Sequence, residues 1–276
     1  MTMQQDVKVE SGFAEILGAQ VYYEIAGEGR ALVLIHAGIC DARMWDEQFS
    51  VFARSFRVVR YDRRGFGRTQ TSGVSFSHHE DLYALLRFLG IERAILVGCS
   101  QGGKTAIDFT LEHPRMTEAL VPVASALGGF EFAGEEPRQL AELMRADEAG
   151  DLERVNELEL QIWVDGPRRK LSEVDARLRE RVREMNRTAL NSSQSLGTER
   201  TLAPAAVQRL DEIKAPTLII TGDLDTPKTL AAARVLAEEI EGAQSVVIEG
   251  TAHLPNMERP EEFNRHVLSF LGALGS

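Results

Sequence analysis

The chain has 276 residues, 43% of them apolar and 26% charged. At about 150 residues per domain, that is one large α/β unit or a core carrying a sizeable insertion. A chain of this size buries roughly three quarters of its unfolded surface, so its core needs neither disulfides nor metal, and its composition excludes disordered and collagen-like proteins. With 31 basic residues against 42 acidic ones, the net charge of -11 disfavours nucleic acid and anionic membranes as partners and leaves small molecules.

The two cysteines, Cys40 and Cys99, stand in separate apolar contexts with neither a zinc spacing nor a disulfide framework, which fits a reducing compartment. The opening segment MTMQQDVKVE is polar and has no apolar h-region. No apolar run reaches the roughly 18 residues of a spanning helix, so the expectation is a soluble, cytoplasmic protein.

In chain order, residues 13–26 alternate apolar and polar around a Gly18-Ala19 break and read as an antiparallel edge hairpin. Short Val, Ile and Leu runs follow at 31–35, 56–61, 93–98 and 117–124, separated by helix-length amphipathic segments. Runs of this kind are strands covered on both faces, and their alternation with helices predicts a parallel sheet. Ser77 and Glu80 form a capping-box pattern ahead of Leu82, Leu85, Leu86 and Leu89, and Gly90 ends that helix. From 130 to 205 strand signals vanish and the chain reads as a helical insertion broken at Gly166-Pro167; strands return at 215–222 and 243–250. The domain reading is therefore a core of residues 1–129 and 206–276 with an insertion at 130–205.

The segment ILVGCSQGG places Gly98, Ser100 and Gly102 as G-x-S-x-G between a strand pattern and a helix pattern. A tight strand-to-helix turn of this kind needs small flanking residues and projects the Ser100 hydroxyl outward. The helix N-terminus then offers the Gln101 amide to an oxyanion forming beside Ser100. The same stretch also spells G-x-x-x-x-G-K-T through Gly98, Gly103, Lys104 and Thr105, a P-loop pattern in which Lys104 would hold phosphates and Thr105 magnesium; Asp62 is its only passable metal-binding acid.

A serine nucleophile needs a base, and the base an orienting acid. Asp223 and Asp225 follow one predicted strand and His253 follows the next, so all lie on the rim where open α/β sheets bind ligands. Ser100 before Asp before His is the chain order of one known triad type. His36 reads as ordering the loop that follows its strand. His78, His79, Glu80 and Asp81 point in different directions on a helix and do not form a metal cluster. Asp62 and Arg64 read as a structural pair, Cys99 as a small buried hydrophobe, and the charged faces of 135–160 and 171–187 as solvated surface. Ile39, Phe130, Trp163, Met185 and Leu254 are candidates for an apolar substrate pocket.

Several motifs together resemble the α/β-hydrolase superfamily: LIHAG at 34–38, DRRGFGRT at 62–69, GCSQG around Ser100, GDLDTP, and AHLPNMERPEEF. The likeness runs over nearly the whole chain and is weakest at 130–205. Two residues depart from the family pattern: Ala37 stands where glycine is usual, and Cys99 precedes Ser100. The resemblance implies a mostly parallel eight-stranded sheet with an antiparallel edge hairpin, helices on both faces, and a helical lid at 130–205. It implies Ser100 as nucleophile, His253 as general base and Asp225, at G-x-x-D spacing from Gly222, as the acid. Gly38 and Gln101 would supply the oxyanion hole, and neither metal nor organic cofactor is implied.

The expected activity is hydrolysis of a small carboxylic ester or lactone through an acyl-enzyme, as in small carboxylesterases and proteins resembling 3-oxoadipate enol-lactonases. A perhydrolase or cofactor-free haloperoxidase, or a carbon-carbon bond hydrolase, would use the same triad. A nucleotide-binding P-loop protein and a non-catalytic small-molecule receptor are the alternatives from other classes. The expected partner is a small-molecule substrate, and a homodimer is compatible with the sequence.

Overall fold

The computed structural model describes residues 8–192 and 196–275. Its sheet opens with β1 (Val9–Ile16) and β2 (Ala19–Ala26), paired antiparallel from Val9 opposite Ala26 to Ile16 opposite Ala19. Leu17 and Gly18 both have positive φ, 43° and 74°, as a two-residue turn between right-twisted strands requires. The hairpin therefore starts four residues before the alternating stretch and turns one residue before the expected break.

The buried strands β3 (Ala31–Ile35), β4 (Arg57–Tyr61), β6 (Ala94–Cys99), β7 (Thr117–Val123) and β8 (Leu218–Gly222) follow, with β9 (Gln244–Ile248) as a largely exposed edge. The sheet order is β1-β2-β4-β3-β6-β7-β8-β9. The pairs from β4 onward along this order are parallel, and β2 joins β4 antiparallel. The expected eight strands are all present. A ninth, the two-residue β5 (Gln70–Thr71), pairs with β2 and is too short to leave a sequence pattern.

Alternate residues of the central strands feed two apolar layers. Leu32, Leu34, Ile95, Val97 and Cys99 face one layer with α1 (Asp46–Phe52) and α9 (Pro260–Ala273). Val33, Ile35, Ala94 and Leu96 face the other with α2 (His78–Phe88), α3 (Gln101–Glu112) and α7 (Pro227–Glu239). Each fully buried aliphatic side chain contributes about 2 kcal/mol, which explains why these strands lack the alternation of the edge hairpin.

Helix α2 begins where the sequence predicts, but not by a capping box. The Ser77 hydroxyl bonds the His79 ring at 2.9 Å instead of a helix amide, and Glu80 pairs with Arg200. Its far end is a Schellman turn: the amides of Gly90 and Ile91 donate to the carbonyls of Arg87 and Leu86.

Between β7 and β8 lie α4 (Gln139–Glu148), α5 (Leu152–Glu159), a π-helical turn at Leu160–Asp165, and α6 (Ala176–Ser192). Gly166, at φ 77°, ends the π turn. The charged faces here are not all solvated. Arg179, 8% exposed, clamps Asp165 and Glu157, and Asn186 bonds Asn156 and Glu159. The apolar face of this segment, with Leu160, Val164, Val182 and Met185, joins the α1/α9 layer. Among the described residues, no helix is long and apolar enough to cross a membrane.

Candidate active site

The chain leaves β3 toward β4 on one side, then crosses to β6 on the other, so the carboxyl ends of β3 and β6 border a topological switch point. Ser100 follows β6 with φ 53° and ψ -114°, a left-handed conformation that costs a non-glycine residue about 1 to 3 kcal/mol. Glycines make room for the turn. A Cβ on Gly98 would stand 2.3 Å from the Gly102 carbonyl oxygen, and one on Gly102 would stand 2.2 Å from that of Ile35. The turn is held by the Ser100 amide donating to Val123 and by Lys104 and Ala126 donating to the Ser100 carbonyl.

His253 lies in the loop after β9, 4% exposed, and its Nδ1 is 2.8 Å from Asp225 Oδ2. Asp225 is fully buried, and its other oxygen accepts the Thr226 amide at 2.6 Å. Donation from Nδ1 to the carboxylate leaves the Nε2 lone pair free to take a proton. The two loops approach backbone to backbone: Leu224 donates to Thr251, and a Cβ on Gly222 would fall 2.3 Å from the Ala252 carbonyl oxygen. Asp223 instead accepts the Gly250 amide at 2.6 Å, so Asp225 is the carboxylate on the imidazole.

The segment that carries Ser100 meets the His253 loop at Cys99, whose buried thiol lies 3.6 Å from the His253 carbonyl oxygen. Among the described residues the Ser100 hydroxyl makes no hydrogen bond to the imidazole; such contacts are often loose before substrate binds. Burial holds the Cys99 and Cys40 thiols well above the usual thiol range, which keeps both protonated. Gly38 packs on Gln101, where an added Cβ would meet Gln101 Cγ at 3.2 Å. The Gly38 amide follows β3 and the Gln101 amide opens α3, so both lie beside the Ser100 turn without a helical or strand partner.

His36 orders this loop. Its Nδ1 bonds the Ala37 carbonyl at 2.8 Å and its Nε2 accepts the Arg63 amide at 2.9 Å, leaving no nitrogen for proton transfer. Burial, with the nearby Arg63 charge, lowers its pKa to about 3, so it is neutral.

The expected Asp62–Arg64 pair does not form. Asp62 accepts the amides of Ala42 and Arg68, at 2.8 and 2.7 Å, while Arg64 clamps Asp81 through Nε and Nη2 at 2.9 and 2.7 Å. The P-loop arrangement is also not realised. Gly102, Gly103 and Lys104 are already helical, Lys104 Nζ binds Asp108 at 2.7 Å, and the Thr105 hydroxyl bonds the Gln101 carbonyl.

Of the five pocket candidates, Ile39, Met185 and Leu254 share the α1/α9 layer and Trp163 packs against it, 6.4 Å from the His253 ring centroid. Phe130 packs against the opposite layer instead. Sequence reasoning missed Arg169 and Glu258. Arg169 donates to the carbonyls of Val164 and Asp165 and pairs with Glu258, which accepts the Ala252 amide at 2.7 Å. This ties the π turn carrying Trp163 to the His253 loop; a cation just past a helix end was its one sequence signal.

A family model described as the alpha/beta hydrolase family matches residues 32–266. A 2-hydroxy-6-oxononadienedioate/2-hydroxy-6-oxononatrienedioate hydrolase from Paraburkholderia phymatum is 30% identical, with 96% of this chain and 94% of that protein covered. A pimeloyl-[acyl-carrier protein] methyl ester esterase from Yersinia enterocolitica is 29% identical, with coverages of 91% and 97%. The crystal structure of a hydrolase from Pseudomonas aeruginosa superposes with a TM-score of 0.76 at 28% identity, covering 97% of this chain and 99% of its own. With this match spanning most of the sheet and the loops at its carboxyl rim, the chain belongs to the alpha/beta hydrolase family.

Proposed function

We propose that the protein is a serine hydrolase that cleaves a small carboxylic ester or lactone through an acyl-enzyme. The observation that carries this reading is the buried Asp225–His253 hydrogen bond of 2.8 Å beside the strained turn that presents Ser100. His253 Nε2 takes the proton of Ser100 Oγ as that oxygen attacks the substrate carbonyl. The resulting oxyanion accepts hydrogen bonds from the amides of Gly38 and Gln101, where one donor contributes about 3 kcal/mol. Collapse of the tetrahedral species breaks the bond to the leaving group, which takes the proton from His253. His253 then removes a proton from water, the hydroxide attacks the acyl carbon, and Ser100 leaves with that proton. The segment 130–205 serves as the lid over the pocket, with Ile39, Trp163, Met185 and Leu254 as its apolar lining. The net charge of -11 favours a small molecule over nucleic acid or membrane as partner.

The esterase from Yersinia enterocolitica supports ester cleavage. The relative from Paraburkholderia phymatum favours a second reading, hydrolysis of a carbon-carbon bond in a 2-hydroxy-6-oxo acid by the same groups. A fluorophosphonate probe tests the nucleophile. Peptide mapping is expected to find the adduct on Ser100 and none in Ser100→Ala, whereas labelling elsewhere contradicts the mechanism. A panel of 4-nitrophenyl esters, lactones and 2-hydroxy-6-oxodienoates then separates the two readings by kcat/KM.

A further inference from the structure

Arg63 is 2% exposed, and its Nε and Nη2 are buried without a hydrogen-bond partner among the described residues. Those two nitrogens form one edge of the guanidinium, spaced to meet both oxygens of a carboxylate. Other buried arginines of this fold use the same edge in that way. Arg64 holds Asp81 through Nε and Nη2 at 2.9 and 2.7 Å, and Arg179 holds Asp165 at 2.8 and 3.2 Å. A buried guanidinium left unpaired carries a desolvation cost of several kcal/mol, so an empty edge marks a place where an anion would be bound strongly.

Among the described residues no anion fills it. Glu199 is the carboxylate whose charge acts on Arg63, but its ion pair is with Lys104, at 3.7 Å. Burial lowers the Arg63 pKa only to about 10, so the side chain is a cation at neutral pH.

Its position relates it to Ser100. Tyr61, Ile35 and Gly98 are aligned across β4, β3 and β6, and Arg63 and Ser100 each stand two residues beyond this line. Two strand spacings separate the two backbones by roughly 10 Å. The Arg63 amide is fixed on His36 Nε2, its guanidinium lies 4.7 Å from the Phe66 ring centroid, and its charge reaches the Cys99 thiol beside Ser100.

We propose that Arg63 is the receptor for a carboxylate on the substrate, held a short aliphatic spacer away from the carbonyl that Ser100 attacks. This deepens the hydrolase reading and rests on it. The substrate class becomes half-esters, lactones or oxo acids that keep a free carboxylate, and Arg63 sets that specificity by pairing side-on with both of its oxygens.

The test compares mono(4-nitrophenyl) glutarate with 4-nitrophenyl pentanoate, which differ in a carboxylate against a methyl group at the chain end. The readout is the ratio of their kcat/KM values, in which a general loss of activity cancels. Arg63→Met is expected to lower the ratio at least tenfold and Arg63→Lys to keep part of it; a ratio unchanged within twofold in Arg63→Met overturns the proposal. Circular dichroism checks folding, and Arg63→Lys serves if Arg63→Met does not fold. If neither ester is hydrolysed, the hydrolase reading fails separately, and calorimetry with glutarate and pentanoate decides on Arg63. Glutarate binding that is absent with pentanoate and lost in the variant supports the site; equal binding of both acids overturns it.

Discussion

Glu159 ends α5 with its carboxylate accepting Asn186 Nδ2 at 2.6 Å and, among the described residues, with no cation in an ion pair with it. Burial, reinforced by the Asp147 charge, raises its pKa from the ordinary 4.5 to about 7. The folded chain therefore holds this proton more tightly than the unfolded chain does. Ionisation favours unfolding, and stability is lost as the pH rises from about 4.5 to about 7. Full ionisation costs on the order of 3 kcal/mol. Glu159→Gln keeps an oxygen for Asn186 and removes the charge. Its melting temperature should equal that of the parent near pH ~4 and exceed it by roughly 6 °C near pH ~8, as thermal unfolding by circular dichroism would read. A gain of the same size at both pH values, or a loss at pH ~8, refutes the electrostatic argument.

Three further outcomes follow from close contacts and hydrogen bonds. Gly102→Ala drives a Cβ to 2.2 Å from the Ile35 carbonyl oxygen and should cost about 3 kcal/mol in urea unfolding; Gly272→Ala in α9 meets nothing within 4 Å and should gain about 0.5 to 1 kcal/mol. On the proposed mechanism, Asp225→Asn lowers kcat by about 10⁴-fold, while Asp223→Asn, at a carboxylate that accepts the Gly250 amide and not the imidazole, stays within roughly fivefold; steady-state ester hydrolysis compares them. His36→Asn should lower kcat by loosening the Gly38 loop without moving the pH–rate profile, because the His36 ring titrates at about 3 and is neutral across the working range.

The parts legible in the sequence are those written in local chemistry. Continuous Val, Ile and Leu runs gave β3, β6 and β8, and glycine spacing around Ser100 marked a turn that only small neighbours permit. The order Ser100, Asp225, His253 was readable because each follows a strand and parallel strands end on one rim. Choices between distant polar partners were not. Arg64 has Asp62 two residues away but pairs with Asp81, since Asp62 is taken by two backbone amides that no side-chain pattern announces. Phe130 follows β7 as a pocket residue would, yet its face of the sheet depends on the path of the loop. The Arg169–Glu258 link joins residues 89 apart, and Arg63 stands out only once its burial and lack of a partner are visible.

The most direct measurement of the central claim is acid quench of the protein during turnover of a 4-nitrophenyl ester, followed by intact mass and peptide mapping. The account predicts a transient mass increase equal to one acyl group on the peptide containing Ser100, formed with the first equivalent of nitrophenol and lengthened in lifetime by His253→Gln. Nitrophenol release with no acyl group on Ser100 at any quench time would contradict it.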